Sequence, residues 1–123
     1  MITEDYVSFE TAKLLKEKGF DWELLSNAYL FKGNTYELAG KLIEADADII
    51  IPTQATAMKW LREVHNIFIA INMIPDTIQK HYFFKLYLGG KIYNFPLEYS
   101  VEFYTIYEEA AEAAIKFCLK SLI

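Results

Sequence analysis

The sequence contains few of the features that mark membrane, secreted or disulfide-linked proteins. A single cysteine, Cys118, occurs among 123 residues, which excludes an intrachain disulfide and favours a reducing compartment. No apolar run approaches the roughly 18 residues that span a bilayer. The N-terminal MITEDYVSF has neither the basic segment nor the apolar core of a signal peptide. We therefore expect a cytoplasmic protein that does not enter a membrane.

Glycine and proline are also scarce, with five and three residues respectively. No Gly/Ser/Pro-rich tract suggests a linker, and a chain of 123 residues leaves no room for a second core of ordinary size. Hydrophobic residues make up 54% of the chain and aromatic residues 16%, far more than a disordered chain carries. The composition predicts that residues 1–123 form a single folded domain.

Positive charge is outnumbered in this sequence. Twelve Lys and Arg residues face 17 Asp and Glu residues, which gives a formal net charge of −5. Non-specific binding of nucleic acid depends on basic patches that neutralise phosphates. The overall charge therefore disfavours nucleic acid as a partner. Binding to nucleic acid is possible only through a local basic face.

Three segments show the spacing and capping residues of amphipathic helices. Ser8 and Gly19 bound a helix predicted near residues 9–18. Thr53 caps a second helix that ends near His65-Asn66, and Thr105 with Glu108 forms a capping box for a third. The predicted apolar stripe of the second helix is Ala57, Trp60, Leu61 and Val64. That of the third helix is Tyr107, Ala110, Ala111, Ala114, Phe117, Cys118 and Leu122.

The strongest strand signal is HYFFKLYLGGKIYNF, because Gly89-Gly90 supplies both positive φ angles of a two-residue hairpin turn. Pairing outward from this turn puts Leu86 and Phe84 on a core face, and Phe83 and Tyr87 on the other face. Further strands are predicted in IFIAINMI and LEYSVEF, with short extended pieces AYLF and TYELA around Lys32-Gly33-Asn34. The pattern indicates an α+β fold, an antiparallel meander of three to four strands with about three helices packed on it.

The face that carries Phe83 and Tyr87 has two interpretations. Twenty aromatic residues are many for one core of this length, and exposed aromatic patches favour protein contacts. Alternatively, the first helices cover this face and make a three-layer domain. Alternation along the strands does not distinguish between these arrangements.

Three blocks of the sequence resemble small uncharacterised phage and prophage proteins of gut bacteria. The blocks are YVSFETAKLLKEKGFDW, IPTQATAMKWLREVHNIFIAI and YEEAAEAAIKFCLKSLI, and the middle block contains the KWLRE core, residues 59–63. The resemblance implies a phage origin. It brings no assigned catalytic residue.

A second likeness concerns the segment TQATAMKWLRE followed by IFIAI, which is similar to the recognition helix and first wing strand of winged-helix repressors. Such proteins read base edges with side chains near the N-terminus of the recognition helix. Gln54, Thr56, Lys59 and Arg62 are the residues that this likeness would use. An ordinary amphipathic helix packed on a sheet explains the same pattern and agrees better with the charge balance.

No arrangement of residues typical of catalysis or metal binding is evident in the sequence. Cys118 falls on an apolar helix face, where a cysteine is usually a small hydrophobic side chain. A metal site would have to combine His65 and His81 with the carboxylates of EADAD, Glu44, Asp46 and Asp48, whose spacing matches no known ligand motif. We expect no catalytic residue, cofactor or metal.

These observations favour a non-catalytic protein that acts by protein-protein interaction or self-association. The alternative is a winged-helix-like nucleic-acid-binding protein that uses the helix at 53–65. The expected partner is another protein or a second copy of the chain. The candidate partner-facing residues are Gln54, Lys59, Arg62, Phe83 and Tyr87.

Overall fold

The structure, a computed structural model, describes residues 5–20, 28–32, 35–39, 49–74, 81–95 and 103–123. The helices within these residues are α1 (Phe9–Glu17), α2 (Gln54–His65) and α3 (Tyr107–Phe117), and a π-helical turn, Cys118–Leu122, follows α3. The strands are β1 (Ala28–Lys32), β2 (Thr35–Ala39), β3 (Ile49–Ile51), β4 (Ile67–Ile74), β5 (His81–Leu88) and β6 (Lys91–Ile92).

Helix α1 begins and ends as the sequence predicts. The Ser8 hydroxyl accepts a hydrogen bond from the backbone N–H of Thr11 at 3.1 Å, which satisfies one of the free donors of the first turn. Gly19 has φ +85°, and the N–H groups of Gly19 and Phe20 donate to the carbonyls of Lys16 and Leu15. This pair of bonds is the glycine-terminated helix end that the sequence indicates.

Helix α2 and strand β4 follow each other with one residue between them. Thr53 caps the helix by accepting a hydrogen bond from the N–H of Thr56 at 3.1 Å. Asn66 then adopts a left-handed conformation with φ 56° and donates its N–H to the carbonyl of Leu61. Asparagine tolerates this conformation better than most residues. The chain therefore turns directly from the helix into β4, as predicted.

The strands form two three-stranded sheets, and within each sheet every pair of neighbouring strands is antiparallel. In the first sheet β1 lies between β2 and β3. In the second, β4, β5 and β6 form a meander with helices packed on it, so the α+β class is confirmed. The predicted turn residues Gly33 and Asn34, and residues 97–102 of the predicted strand LEYSVEF, lie outside the described residues.

The β5–β6 hairpin has the register that the sequence predicts. Leu88 pairs with Lys91 and Tyr87 with Ile92, and the N–H of Tyr93 donates to the carbonyl of Leu86 at 2.8 Å. The turn residues Gly89 and Gly90 have φ angles of +57° and +84°. These positive angles are the reason for two consecutive glycines here.

One hydrophobic core joins the three helices to the β4–β5–β6 sheet. Helix α3 packs on β4 and β5, and it also contacts α1 and α2. Trp60 of α2 is 7% exposed, and its ring contacts those of Phe20 and His65 with centroid distances of 5.4 and 4.6 Å. The fully buried residues that fill the centre include Leu15, Leu61, Leu86, Ile115, Cys118 and Leu119.

Two predicted apolar stripes are wrong at the helix ends. Val64 is 60% exposed, because the last turn of α2 extends beyond the core before the chain enters β4. Tyr107, the first residue of α3, is exposed for the same reason at the opposite end of its helix. Ile115 and Leu119, which the predicted stripe omitted, are fully buried instead.

The predicted capping box at Thr105 and Glu108 does not form. Helix α3 begins at Tyr107, so Ile106 occupies the cap position and makes no side-chain hydrogen bond there. Isoleucine has no side-chain oxygen that could accept a bond from the first turn. The prediction therefore placed the helix start one residue too early.

Candidate interaction surface

The β4–β5 pair has one buried face and one face turned away from the helices. The pairs Ile67–Leu88, Ile69–Leu86 and Ile71–Phe84 lie on the inner face, where they meet the core. Alternate residues point to the other side. We call this side the outer face, and its members are Phe68, Ala70, Asn72, Ile74, His81, Phe83, Lys85, Tyr87 and Ile92.

Aromatic and aliphatic side chains are exposed on the outer face. Phe68 is 48% exposed and contacts the ring of Tyr87 at a centroid distance of 6.3 Å. Phe83 contacts Phe103 at 6.1 Å, and Ile92 is 52% exposed. All described helices that contact this sheet pack on its inner face. Within the described residues, the two-layer arrangement is the one observed, and Phe83 and Tyr87 lie on its half-exposed side.

The outer face differs in charge from the rest of the molecule. On β5 the outer face carries one charged side chain, Lys85. Lys91 begins β6, and the described residues of β4, β5 and β6 include no Asp or Glu. The chain as a whole has a net charge of −5. This sheet is therefore a weakly cationic, apolar part of an acidic protein.

Strand β4 pairs with β5 on one side, and the direction of its backbone groups shows which residues face the other side. Tyr82 of β5 exchanges two backbone hydrogen bonds with Tyr104, at 2.6 and 2.8 Å, so its backbone groups point away from β4. Alternation then directs the backbone groups of Phe83 toward Asn72. The neighbours of Asn72 point the opposite way. The N–H and C=O groups of Ile67, Ile69, Ile71 and Met73 thus line the side of β4 opposite β5, which we call the β4 edge.

The β4 edge has none of the usual protections against pairing. Its sequence, IFIAINMI, contains no charge and no proline, whereas exposed edge strands commonly carry lysine, proline or a bulge. Within the described residues, no strand pairs with this edge. Its exposure is uneven: Ile67 and Ile69 are 3% and 7% exposed, whereas Met73 is 49% exposed.

The predicted site residues on α2 divide between the interior and the surface. Gln54 is 8% exposed, and its amide nitrogen donates to the carbonyl of Glu108 at 2.9 Å. Lys59 and Arg62 are exposed on the surface of the helix. The burial of Gln54 removes from the surface the side chain nearest the helix N-terminus, while the two cations remain accessible.

A polar cluster around Glu112 joins the three helices. Its carboxylate accepts hydrogen bonds from the N–H of Ser8 at 3.1 Å and the Ser8 hydroxyl at 2.8 Å, and from the hydroxyl of the buried Thr11. The amide of Gln54 donates from α2 at 3.4 Å. Sequence patterning assigned Glu112 to the solvent-facing side of α3. It did not reveal the partners of Glu112, because they come from distant parts of the chain.

Salt bridges on the same side of the molecule connect α1 to α3. The ammonium groups of Lys116 and Lys120 lie 3.0 and 3.6 Å from the carboxylate of Glu10. The hydrogen bond from Lys116, with the positive charges of both lysines, lowers the pKa of Glu10. Because these side chains are solvent-exposed, the contribution of the ion pairs to stability is small.

Two clefts lie beside the buried Gln54. The larger is about 420 Å³ and includes Ser8, Glu109 and Glu112 in its wall, and the smaller is about 230 Å³. The Ser8 hydroxyl caps α1 while it donates to Glu112, so its position is explained by the helix end. Among the described residues, no group of three His, Cys, Asp or Glu side chains could hold a metal ion. Glu44, Asp46 and Asp48 lie outside them.

The two histidines occupy aromatic surroundings. The ring of His81 lies 6.3 Å from that of Phe103 on the outer face. His65 packs against Trp60, and its Nε2 atom is buried without a hydrogen-bond partner among the described residues. The two histidines therefore belong to different parts of the structure, one on the sheet surface and one at the end of α2.

Cys118 is completely buried, and burial raises the pKa of its thiol to about 12. The reactive form of cysteine is the thiolate, so we expect the native protein to react very slowly with an aromatic disulfide reagent at neutral pH. The same reagent should react at the ordinary rate after denaturation. Fast labelling of the folded protein, followed by absorbance, would contradict the buried position.

Comparison with known proteins adds no relative: no protein-family model, curated protein or solved structure matches the chain. No helix in the described part of the chain is long and apolar enough to cross a membrane.

Proposed function

We propose that this protein is a non-catalytic interaction module that associates with a second copy of itself through the β4–β5–β6 sheet. The observation that carries the proposal is β4, an eight-residue uncharged strand on which the side chains of Phe68 and Met73 are about half exposed. An unprotected edge presents a row of backbone donors and acceptors that another strand can satisfy. The phage origin implied by the sequence resemblance remains a prediction.

A second copy is a suitable partner on electrostatic grounds. The net charge of −5 makes two copies repel each other at long range. The sheet carries Lys85 and Lys91, and the described residues of its three strands include no acidic side chain. Contact through this sheet therefore keeps the acidic residues of α1 and α3 away from the interface.

No observation favours the winged-helix-like alternative. A recognition helix needs free side chains near its N-terminus, but Gln54 is buried against α3. The carboxylates of Asp5 and Glu108 line the cleft at this end of α2, and they would repel phosphates. Lys59 and Arg62 remain exposed, but Glu63 directly follows Arg62 in the sequence.

Sedimentation equilibrium over a wide range of protein concentrations tests the proposal. We expect the average mass to approach that of two chains as the concentration rises. Phe68→Ser should weaken association by up to about fivefold, because a cross-strand side-chain pair contributes roughly 0.2–1 kcal/mol.

The matched control is Ile92→Ser, which removes a similarly exposed apolar side chain from β6, across the sheet from β4. This variant should associate as the unmodified protein does. A single-chain mass at every concentration would refute the proposed function.

A further inference from the structure

We propose that the two clefts beside Gln54 bind a guanidinium group, which belongs either to a small organic cation or to an arginine of another protein. The site lies where the first turns of α2 and α3 meet, and it includes no residue of the β4–β5–β6 sheet. The inference therefore goes beyond the proposed function and does not depend on it.

Gln54 supplies the hydrogen-bond acceptor that marks the site. The residue is 8% exposed, and its Nε2 donates to the carbonyl of Glu108 at 2.9 Å and to the carboxylate of Glu112 at 3.4 Å. Because both partners are acceptors, the orientation of the amide is fixed. Its Oε1 accepts no hydrogen bond from the described residues and is not fully buried. Gln54 lines both clefts, so this oxygen is open to a donor that enters them.

Carboxylates lie in the walls beside this oxygen. Asp5 and Glu108 line both clefts, and Glu109 lines the larger one. Within the described part of the chain, none of the three forms a salt bridge. Glu108 and Glu109 lie in the first turn of α3, where negative charge favours the helix dipole. This role accounts neither for Asp5 nor for the open acceptor of Gln54.

The other charged side chains described in the wall of the larger cleft already have partners. Glu112 accepts hydrogen bonds from Ser8 and Thr11, which occupy most of its acceptor positions. The ammonium of Lys116 lies 3.0 Å from the carboxylate of Glu10. The charged groups that remain for a ligand in the described walls are therefore carboxylates.

The arrangement of these acceptors favours an organic cation over a metal ion. No three described side chains of His, Cys, Asp or Glu converge closely enough to hold a metal, so the acceptors suit donors that are spread over a larger group. A guanidinium has five N–H donors and no acceptor, and its weak hydration lowers the cost of entering a partly buried site. Cleft volumes of about 420 and 230 Å³ suit a ligand of amino-acid size.

The smaller cleft also offers an apolar wall to the stem of such a ligand. Met58, Tyr107 and Ala111 line it together with Asp5 and Glu108. Tyr107 is 45% exposed, and a guanidinium stacks favourably on an aromatic ring. The methylene groups of an arginine-like stem would bury against Met58 and Ala111 while the charged head meets the carboxylates.

Titration of the isotope-labelled protein, followed by NMR, tests the site. The ligands are N-acetyl-arginine amide, which represents an arginine in a protein, agmatine, a small guanidinium cation, and N-acetyl-citrulline amide, which has the shape of the first but no charge. We expect the guanidinium ligands to shift the side-chain amide signals of Gln54 saturably. The citrulline amide should bind at least about tenfold more weakly, because it makes no charged hydrogen bonds. Tighter binding of the arginine amide would identify a protein as the source of the group, and tighter binding of agmatine a small cation.

Substitution of the wall carboxylates gives a second test. Glu108→Gln removes one charge from both clefts but keeps the backbone carbonyl that holds Gln54. It should weaken binding at least about threefold, and Asp5→Asn should act in the same direction. The matched control is Glu17→Gln, which makes the same change of charge at an exposed position at the other end of α1. This control should bind as the unmodified protein does.

The inference is overturned if the Gln54 signals show no saturable shift, or if the citrulline amide binds as tightly as the arginine amide. Equal weakening by Glu17→Gln and Glu108→Gln would show attraction by the net charge alone and would also overturn it. None of these results depends on association with a second copy, so failure of the proposed function would leave the site intact.

Discussion

Replacing Trp60 with alanine is expected to lower the free energy of unfolding by about 3–5 kcal/mol, the range for removing a large aromatic side chain from a core. Trp60 is almost completely buried. Its indole contacts the ring of Phe20, which follows α1, and the ring of His65 at the end of α2. The substitution would leave a cavity between these elements. It would also remove the packing that covers the buried Nε2 atom of His65.

Urea unfolding followed by circular dichroism measures this effect. Lys59→Ala, an exposed position one residue earlier on the same helix, is the control and should change stability by no more than about 0.5 kcal/mol. Equal stability of the two variants would show that Trp60 does not hold α2 in the core. An unchanged unfolding curve combined with lost self-association would place the indole on a contact surface instead.

Glu112→Ala is expected to destabilise the protein by about 2–4 kcal/mol. Hydrogen bonds to charged groups contribute more than neutral ones, and a buried donor left without a partner costs roughly 1–3 kcal/mol. The substitution removes the acceptor of the buried Thr11 hydroxyl, and Gln54 keeps only its bond to the carbonyl of Glu108. The N-terminus of α1 would also lose the negative charge that favours its dipole.

Two further variants separate the hydrogen bonds of Glu112 from its charge and from helix propensity. Glu112→Gln keeps one carbonyl acceptor in place and should lose less stability than Glu112→Ala. Glu109→Ala, an exposed position on the same helix, should have little effect. If Glu109→Ala and Glu112→Ala gave the same free energy of unfolding, the carboxylate would have no role in joining the helices.

The parts of the fold that could be predicted from the sequence are those fixed by neighbouring residues. Ser8, Thr53 and Gly19 act on a helix end within three residues of themselves, and Gly89-Gly90 determines a register across one turn. Such signals depend on local backbone geometry. They identified two helix starts, the hairpin and the division of β5 into a core face and an outer face.

The features that could not be predicted depend on contacts between distant segments. Gln54 has a surface-like sequence context, yet α3 buries it. Val64 has the spacing of a core residue, but α2 extends beyond the core at that end. Glu112 reads as a solvated residue of α3, but one of its hydrogen-bond partners, Ser8, is 104 positions away. Periodicity indicates which side of a helix is apolar, but not where the neighbouring element ends.

The free side of β4 was also hidden from sequence reasoning. IFIAINMI is typical of a strand buried on both faces or at the centre of a sheet, and only the order of the described strands places it at the end of its sheet. The pairing side of that sheet depends on topology, which the alternation of residues does not determine.

The position of α3 in the chain has a consequence for biosynthesis. Helix α3 supplies Glu112 and packs against α1, α2, β4 and β5, yet a ribosome makes it after all of them. The β4–β5 pair can form early, because its contacts are local in sequence, but α2 covers only part of its inner face, and the rest stays uncovered until α3 emerges. During translation the nascent chain therefore exposes the inner isoleucines and Leu86 together with an unprotected strand. This interval is when chaperones would be most needed to prevent aggregation.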